Sequence, residues 1–379
     1  MPKKIFLIAG EASGDLQASQ LIKALKQKSP DLIFRGLGGP LMAHEGMELT
    51  HDLTKEAVLG LGDVLKKYFT FRSIFNQALK DVKAFQPDVI ILVDYPGFNL
   101  RFAKKINKKF PVVYYISPQI WAWHEKRIHD IRKTVDHLIV FFDFEEKLYQ
   151  QHGVPVTWAG HPLVDLAKPT KSKDELRKNW LKNNSNKLVA LLPGSRITEV
   201  KRILPEMIKT AKLIYKRDTS TQFLLLQSPT LNDSAYRKII QKAKLPFELN
   251  MIQNRSFDVM YASDFSMVSS GTATLEAALS ETPFVIFYKT AWSTFFLGRW
   301  LIKIPYIGLV NVVAGRKIVP EFIQEEIHPE TIAQEAVYLL HHQDLKERMV
   351  SDLKTVRTKL GSGGASRRAA EAVLNFLSS

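Results

Sequence analysis

The sequence predicts an α/β protein of two similar-sized parallel-sheet halves with a cleft between them. Three observations predict it. Short β-branched or aromatic runs alternate with amphipathic helical patterns, the alternating series occurs twice, and a polar stretch separates the two series. The length of 379 residues agrees with two domains, each able to bury its own core.

In the first half, Ile5–Ala9, Val89–Val93, Val112–Ile116 and Leu138–Phe142 read as buried strands. Their nearly continuous apolar character suits a parallel sheet covered on both faces. Helical spacing falls between them at Ala18, Leu21, Ile22 and Leu25, at Phe71, Phe75, Leu79 and Val82, and at Ile128, Ile131 and Val135. From Gly160 to Asn186 the pattern loosens into Pro, Lys, Ser and Asn, which reads as a linker. The second series has strands at Leu188–Leu192, Phe223–Gln227, Phe247–Met251, Phe265–Val268 and Phe284–Tyr288. Helical pattern closes the chain over Glu330–His341, Leu345–Leu360 and Arg367–Leu377. The expected division is 1–168 and 169–359, with a last helix over 360–379 that packs back on the first domain or swaps to another subunit.

The 53 Lys plus Arg outnumber the 38 Asp plus Glu, for a formal charge of +15, and an anionic partner is implied. Nucleic acid, an anionic membrane surface and a phosphorylated substrate are the candidates. Basic residues are spread over many helices with no aromatic-interleaved stripe, so nucleic acid is not expected. Cysteine is absent, which excludes disulfides, zinc–thiolate sites, iron–sulfur clusters and thiol nucleophiles. The apolar run Ile5–Gly10 is too short for a signal-peptide core, and no later segment has the length to span a bilayer. A cytoplasmic protein is the expectation.

Open α/β sheets bind ligands at the carboxyl ends of their strands, so the strand-ending loops carry the function. GEASGD, Gly10 to Asp15, is a strand-to-helix turn whose glycines and serine can bring N–H groups close to a ligand. It lacks the P-loop lysine and the G-x-G-x-x-G spacing, and its two acids oppose a bare phosphate. The plainer alternative is a tight turn whose Asp15 caps the helix. In VDYPGFN, Asp94 stands at a strand tip, where a general base has to be; otherwise it is a loop aspartate bonded to amides. SPQIWAWHEKR places Trp121, Trp123 and His124 just past a strand, able to hold a sugar or acyl chain, or simply to pack.

In the second half, LLPGSR and SSGTATLEAA supply Arg196 and a hydroxyl-rich turn of Ser270, Gly271, Thr272 and Thr274. Free N–H groups and hydroxyls there can take a diphosphate, a guanidinium fork can neutralise it, and Glu276 can accept from ribose hydroxyls. His124 and His161 are suited to proton transfer, to phosphate binding or to a structural role. There is no D-x-D pair. Its nearest imitation, Asp143-Phe144-Glu145, reads as a helix start, and the adjacent His341 and His342 lack ligand spacing, so no metal is expected.

GEASGD, D-x-P-x-F-N, SPQIWAW, GHPL, LLPGSR, SGTATLEAA and the Asn311 region, in that order, resemble the lipid-A-disaccharide synthase family over essentially the whole chain. The resemblance implies a GT-B type inverting glycosyltransferase with two facing Rossmann-like domains. It implies an N-terminal acceptor and lipid domain, a C-terminal UDP-sugar domain, and a peripheral position on the inner face of the cytoplasmic membrane of Gram-negative bacteria. The donor would be UDP-2,3-diacylglucosamine and the acceptor 2,3-diacylglucosamine 1-phosphate, giving the β-1,6-linked disaccharide 1-phosphate and UDP. No cofactor and no metal is implied, and a homodimer is compatible with it.

Carried over position by position, Asp94 matches the base and Arg196 the nucleotide arginine. Implied substrate contacts are Glu11, Ser13, Gly14, Asp15, Asn99, Gln119, Ser270, Gly271, Thr272, Ala273, Thr274, Glu276 and Asn311. DYPGFN departs from the D-A-P-D-F-N form at its second and fourth positions, leaving Asp94 without a second acid. The rival from another enzyme class is a UDP-sugar epimerase on the same fold. Membrane contact is expected from Val64 to Phe75, through Leu65, Phe69 and Phe71 beside Lys66, Lys67 and Arg72, with Phe295 to Lys303 as the alternative.

Overall fold

Strands of apolar and β-branched residues form two all-parallel sheets in a computed structural model, which describes residues 2–58, 64–122, 126–181, 186–292, 295 and 304–378. The first sheet contains β1 (Lys4–Ala9), β2 (Ile33–Gly38), β3 (Glu48–Asp52), β4 (Val89–Val93), β5 (Val112–Tyr115), β6 (His137–Val140) and β7 (Val156–Trp158). Its order is β3-β2-β1-β4-β5-β6-β7. The second contains β8 (Leu188–Leu192), β9 (Gln222–Gln227), β10 (Leu249–Gln253), β11 (Phe265–Ser269), β12 (Phe284–Tyr288) and β13 (Glu321–Ile323), in the order β10-β9-β8-β11-β12-β13.

The chain divides into one unit of Met1–Pro162 with Gly361–Ser379 and another of Leu163–Leu360. In the first, strand order reverses between β1 and β4; in the second, between β8 and β11. Successive right-handed crossovers wind outward from those central pairs, so the loops after them part and leave a crevice at the strand ends. The helix Ala365–Ser378 returns to the first unit, where Arg368 Nε donates to Ala159 O at 2.8 Å and Glu371 pairs with Lys28 at 3.0 Å.

Four strands escape the sequence reading. β3, β7 and β13 are short edge strands carrying Thr, His and Glu, and β2 mixes Arg35 with two glycines, so none presents an apolar run. The expected linker is a second correction. Its residues form the helices Leu163–Leu166 and Lys173–Trp180, the latter opened by a capping box of Ser172 and Glu175. Only Leu176 of that helix is buried, which explains the polar composition. Arg177 ties it into the second unit, with Nη1 donating to Ala262 O and Asp264 Oδ2 at 2.9 Å and Nη2 to Asn186 O at 2.8 Å.

The helix Val64–Phe85 buries Ile74, Ala78 and Val82, and packs Phe71, Phe75 and Leu79 on the core. Phe71 is therefore core rather than membrane patch, because it shares the buried face. Phe69 stands 64% exposed, while the side chain of Leu65 lies outside the described residues. No described helix is long and apolar enough to cross a membrane.

Burial alone would raise the Asp264 carboxyl, but the Leu188 N–H at 2.9 Å and the Arg177 guanidinium hold it below its ordinary range. A depressed carboxylate contributes stability above its unfolded pKa and loses it as pH falls through the folded value. Arg177→Met should therefore destabilise the second unit by about 2 kcal/mol in urea at pH 7, moderated by Lys346 at 3.9 Å from Asp264. The difference should shrink below about pH 4, where unfolded carboxylates protonate. An equal loss at low and neutral pH would contradict this pairing.

Candidate functional site

Asp94 directly follows β4 at the switch point of the first sheet, and Glu11 stands one residue beyond, past Gly10, at the end of the adjacent β1. Asp94 and Tyr95 both take left-handed backbone angles, φ 45° and 49°, and Ile116 after the neighbouring β5 has φ 68°. Such angles are costly for residues with side chains, most of all a β-branched one, and cluster where function holds them. The turn is tied down from three sides. Asp94 N donates to Tyr115 O at 2.9 Å, and Asp94 O accepts from the Tyr114 hydroxyl at 2.6 Å and from Asn99 Nδ2 at 2.8 Å. Gly10 leaves room for the Tyr95 ring, which occupies the space a side chain there would need.

Burial pushes the Asp94 carboxyl up to about 6; a hydrogen bond from the Tyr95 backbone opposes the shift and the Glu11 charge adds to it. A carboxylate with that pKa is still ionised at neutral pH, yet basic enough to take a proton from a hydroxyl.

In the second unit, a cavity of about 630 Å³ opens at the ends of β8, β9, β10 and β11. Its wall includes Arg196, Ser256, Ser270, Gly271, Thr272 and Glu276. Arg196 is the N-cap of the long helix Ile197–Arg217 and its side chain is 80% exposed, with a weak ion pair to Glu199 at 3.5 Å. Glu199 folds back to accept from the Ser195 and Arg196 N–H groups at 3.1 and 3.3 Å, shaping the PGSR loop. Among the described residues no protein carbonyl takes the N–H groups of Gly271, Thr272 or Ala273, and Gly271 (φ 141°) has open space where a side chain would stand. Burial raises the Glu276 carboxyl, and the Ser256 hydroxyl donates to it. A half-buried carboxylate, amides that no described carbonyl takes and an exposed guanidinium in one cavity can hold an anion and a pair of hydroxyls.

The structure places the other expected residues differently. Glu11, Ser13 and Gln119 are exposed at the carboxyl edge of the first sheet, and Gly14 is buried in the helix that follows β1. Asp15 is buried and committed within the fold. It accepts from Gly39 N and Met42 N on one oxygen and Leu41 N on the other, at 3.0–3.1 Å, and so anchors the neighbouring loop. Asn99 is likewise fully buried, its amide donating to Ile8 O, Val93 O and Asp94 O.

Asn311 binds Val319 O and Glu321 through Nδ2, both at 2.8 Å, and accepts from Ile318 N and Val319 N through Oδ1. The side chains of Asp15, Asn99 and Asn311 are thus buried and bonded to backbone groups, that of Asn311 also to the Glu321 carboxylate. The Ser270 hydroxyl donates to Ile307 O at 3.0 Å and that of Thr274 to Gly271 O at 2.8 Å, while Thr272 and Ala273 border the cavity. Trp121 donates through Nε1 to the buried Glu145 at 3.0 Å and meets Phe144 edge-on, whereas Trp123 and His124 lie outside the described residues. His161 sits against Phe141 and Phe142, and burial pushes it down to about 4, so it is neutral. Sequence reasoning missed Ser256, Glu199 and Tyr114. Only the P-G-S-R-x-x-E spacing offered a signal, as a capping box.

Two Rossmann-like units, each with its polar chemistry at a switch point, define a two-domain enzyme of the GT-B type. The fold is similar to that of a putative UDP-N-acetylglucosamine 2-epimerase from Listeria monocytogenes, at TM-score 0.67 and 14% identity, covering 100% of this chain and 97% of that one. It is also similar to CalG4, the calicheamicin glycosyltransferase, at TM-score 0.61 and 13% identity over 100% and 98%. At the level of sequence, the family model for Lipid-A-disaccharide synthetase matches residues 5–376. Lipid-A-disaccharide synthases of Syntrophus aciditrophicus (strain SB) and Coxiella burnetii (strain Dugway 5J108-111) are 40% and 39% identical, each over 99% of this chain and 98% and 99% of theirs. The chain belongs to the lipid-A-disaccharide synthase family, the glycosyltransferases of lipid A biosynthesis.

Asn311→Ala should lower the thermal midpoint, since it strands the buried N–H groups of Ile318 and Val319 at about 1–3 kcal/mol each. UDP affinity of the folded variant, measured by calorimetry, should not change, because Asn311 is not in the cavity wall. An unchanged midpoint with lost UDP binding would restore it as a substrate contact.

Proposed function

We propose that the chain transfers 2,3-diacylglucosamine from UDP to the 6-hydroxyl of 2,3-diacylglucosamine 1-phosphate. Family membership supports the substrates, a UDP-sugar and a sugar phosphate. The observation that carries the chemistry is the Asp94 carboxyl at the end of β4, pushed up to about 6 and fixed by a strained turn. The acceptor hydroxyl attacks the anomeric carbon opposite the departing UDP. The new C–O bond forms as the bond to the diphosphate breaks, the proton goes to Asp94, and the electron pair leaves on UDP. One displacement inverts the anomeric centre, so an α-linked donor gives a β-1,6-linked product.

The charge that develops on the diphosphate falls to Arg196 and to the N–H groups of Gly271, Thr272 and Ala273; Glu276 takes the ribose hydroxyls. The exposed Leu16, Leu41 and Phe69 of the first unit offer apolar surface to acyl chains, and the +15 charge favours the anionic inner face of the cytoplasmic membrane.

Incubation with both acylated substrates, followed by mass spectrometry, should yield the disaccharide 1-phosphate and UDP. The epimerase reading rests on fold alone, at 14% identity. It predicts a changed UDP-sugar when donor is supplied without acceptor, and that product would overturn the transferase.

Asp94→Ala should cost on the order of 100- to 10,000-fold in turnover and leave UDP affinity nearly intact, since the base acts on the acceptor. Because only ionised Asp94 accepts the proton, kcat/KM should rise with pH through about 6 and then level off. Normal turnover of the variant would move the base elsewhere. Arg196→Ala should weaken UDP binding as well as turnover, because a guanidinium on the diphosphate acts in the ground state and the transition state alike. Unchanged UDP affinity would remove Arg196 from the diphosphate.

A further inference from the structure

The Asp94 side chain can point at an acceptor only if its main chain stays in a conformation that residues with side chains avoid. Asp94 and Tyr95 have φ 45° and 49° in succession, and neither is glycine. An unsupported chain would relax to extended or right-handed angles and swing the carboxyl away. Two donors meet on the single carbonyl of Asp94. One is the Tyr114 hydroxyl at 2.6 Å, from β5; the other is Asn99 Nδ2 at 2.8 Å, from the helix Pro96–Ile106. Tyr114 is fully buried and lies in register with Leu92 of β4, so the ring is fixed by the sheet and the hydroxyl reaches two residues along the neighbouring strand.

We infer that Tyr114 is a positioning residue for the base: its hydroxyl, together with the Asn99 amide, holds the Asp94 carbonyl and thereby fixes where the Asp94 carboxyl points. The inference rests on the reading of Asp94 as the base. Burial raises the Tyr114 phenol well above its ordinary value, so it remains a neutral donor at every working pH. Among the described residues, the titratable groups facing the pair are Glu11 and Tyr95 around Asp94, and Tyr149 and Arg127 around Tyr114. Among these, Glu11 is the charge that helps keep the Asp94 carboxyl weakly acidic, and its effect depends on the carboxyl staying where the turn puts it.

Tyr114→Phe removes only the hydroxyl and keeps the ring. The folded variant should lose on the order of 10- to 100-fold in kcat, the scale of a small misplacement of a reacting group, with KM for the UDP donor unchanged. Its acid limb should move below 6 toward the ordinary carboxylate range of about 4, because a freed carboxyl turns to solvent. A merely structural tyrosine would leave the limb in place.

In an Asp94→Ala background the same substitution should add no further loss, since it acts through Asp94. Asn99→Ala, which removes the other donor, should show the same pair of changes and serves if Tyr114→Phe does not fold. Unchanged kcat and limb in a folded variant, or fully additive losses with Asp94→Ala, overturn the inference while leaving Asp94 as base. Normal turnover of Asp94→Ala itself overturns the base and the inference together. Failure of both variants to fold assigns the two bonds to the fold and overturns the inference as well.

Discussion

A parallel sheet delivers side chains to a ligand only through the loops after its strands, and the loop after β4 is bent by two consecutive left-handed residues. Everything asked of the first unit depends on that turn being held. Three hydrogen bonds hold it, from β5 and from the helix that the turn itself begins, and Gly10 clears the space that the Tyr95 ring takes up. The arrangement half-buries Asp94 and, among the described residues, gives its carboxyl no cation, which raises its pKa rather than lowering it. Stability and chemistry meet here: a paired carboxylate would strengthen the fold and weaken the base.

The second unit solves the opposite problem. Its switch point presents amides at Gly271 to Ala273 that no carbonyl among the described residues takes, and the exposed guanidinium of Arg196, a setting suited to negative charge. Glu276 is kept from being a bare charge by the Ser256 hydroxyl and by burial. In the proposed reaction, one topology carries the proton acceptor in one unit and the anion cradle in the other, the two functions an inverting transfer requires.

Much of this was legible in the sequence. The strands β4, β8 and β12 are unbroken apolar runs; Asp94 follows β4 directly and Arg196 closes the short loop between β8 and its helix, so pattern and position both pointed to them. The edge strands β3, β7 and β13 were not legible, because half-exposed residues such as those of β3 carry no apolar alternation. Composition misled at residues 160–186, where one buried leucine and a capping box were enough to make a helix of a polar segment. Among the candidate residues, what the sequence leaves open has one cause. A motif gives the position of Asp15, Asn99 or Asn311 but not the direction of its side chain, and an amide that bonds backbone looks the same in sequence as one that bonds substrate. Tyr114 and Ser256 were invisible for the complementary reason. Their partners are 20 residues away in each case, and only the sheet and its helices bring them together.

The central claim is that a strained, half-buried turn keeps the carboxyl of Asp94 weakly acidic. Titration of selectively labelled aspartate carboxyl carbons by NMR, with Asp94→Asn to assign the signal, measures this directly in the unliganded protein. The account predicts a midpoint at about 6 that disappears in the variant. A midpoint for Asp94 in the ordinary carboxylate range of about 4 would contradict it.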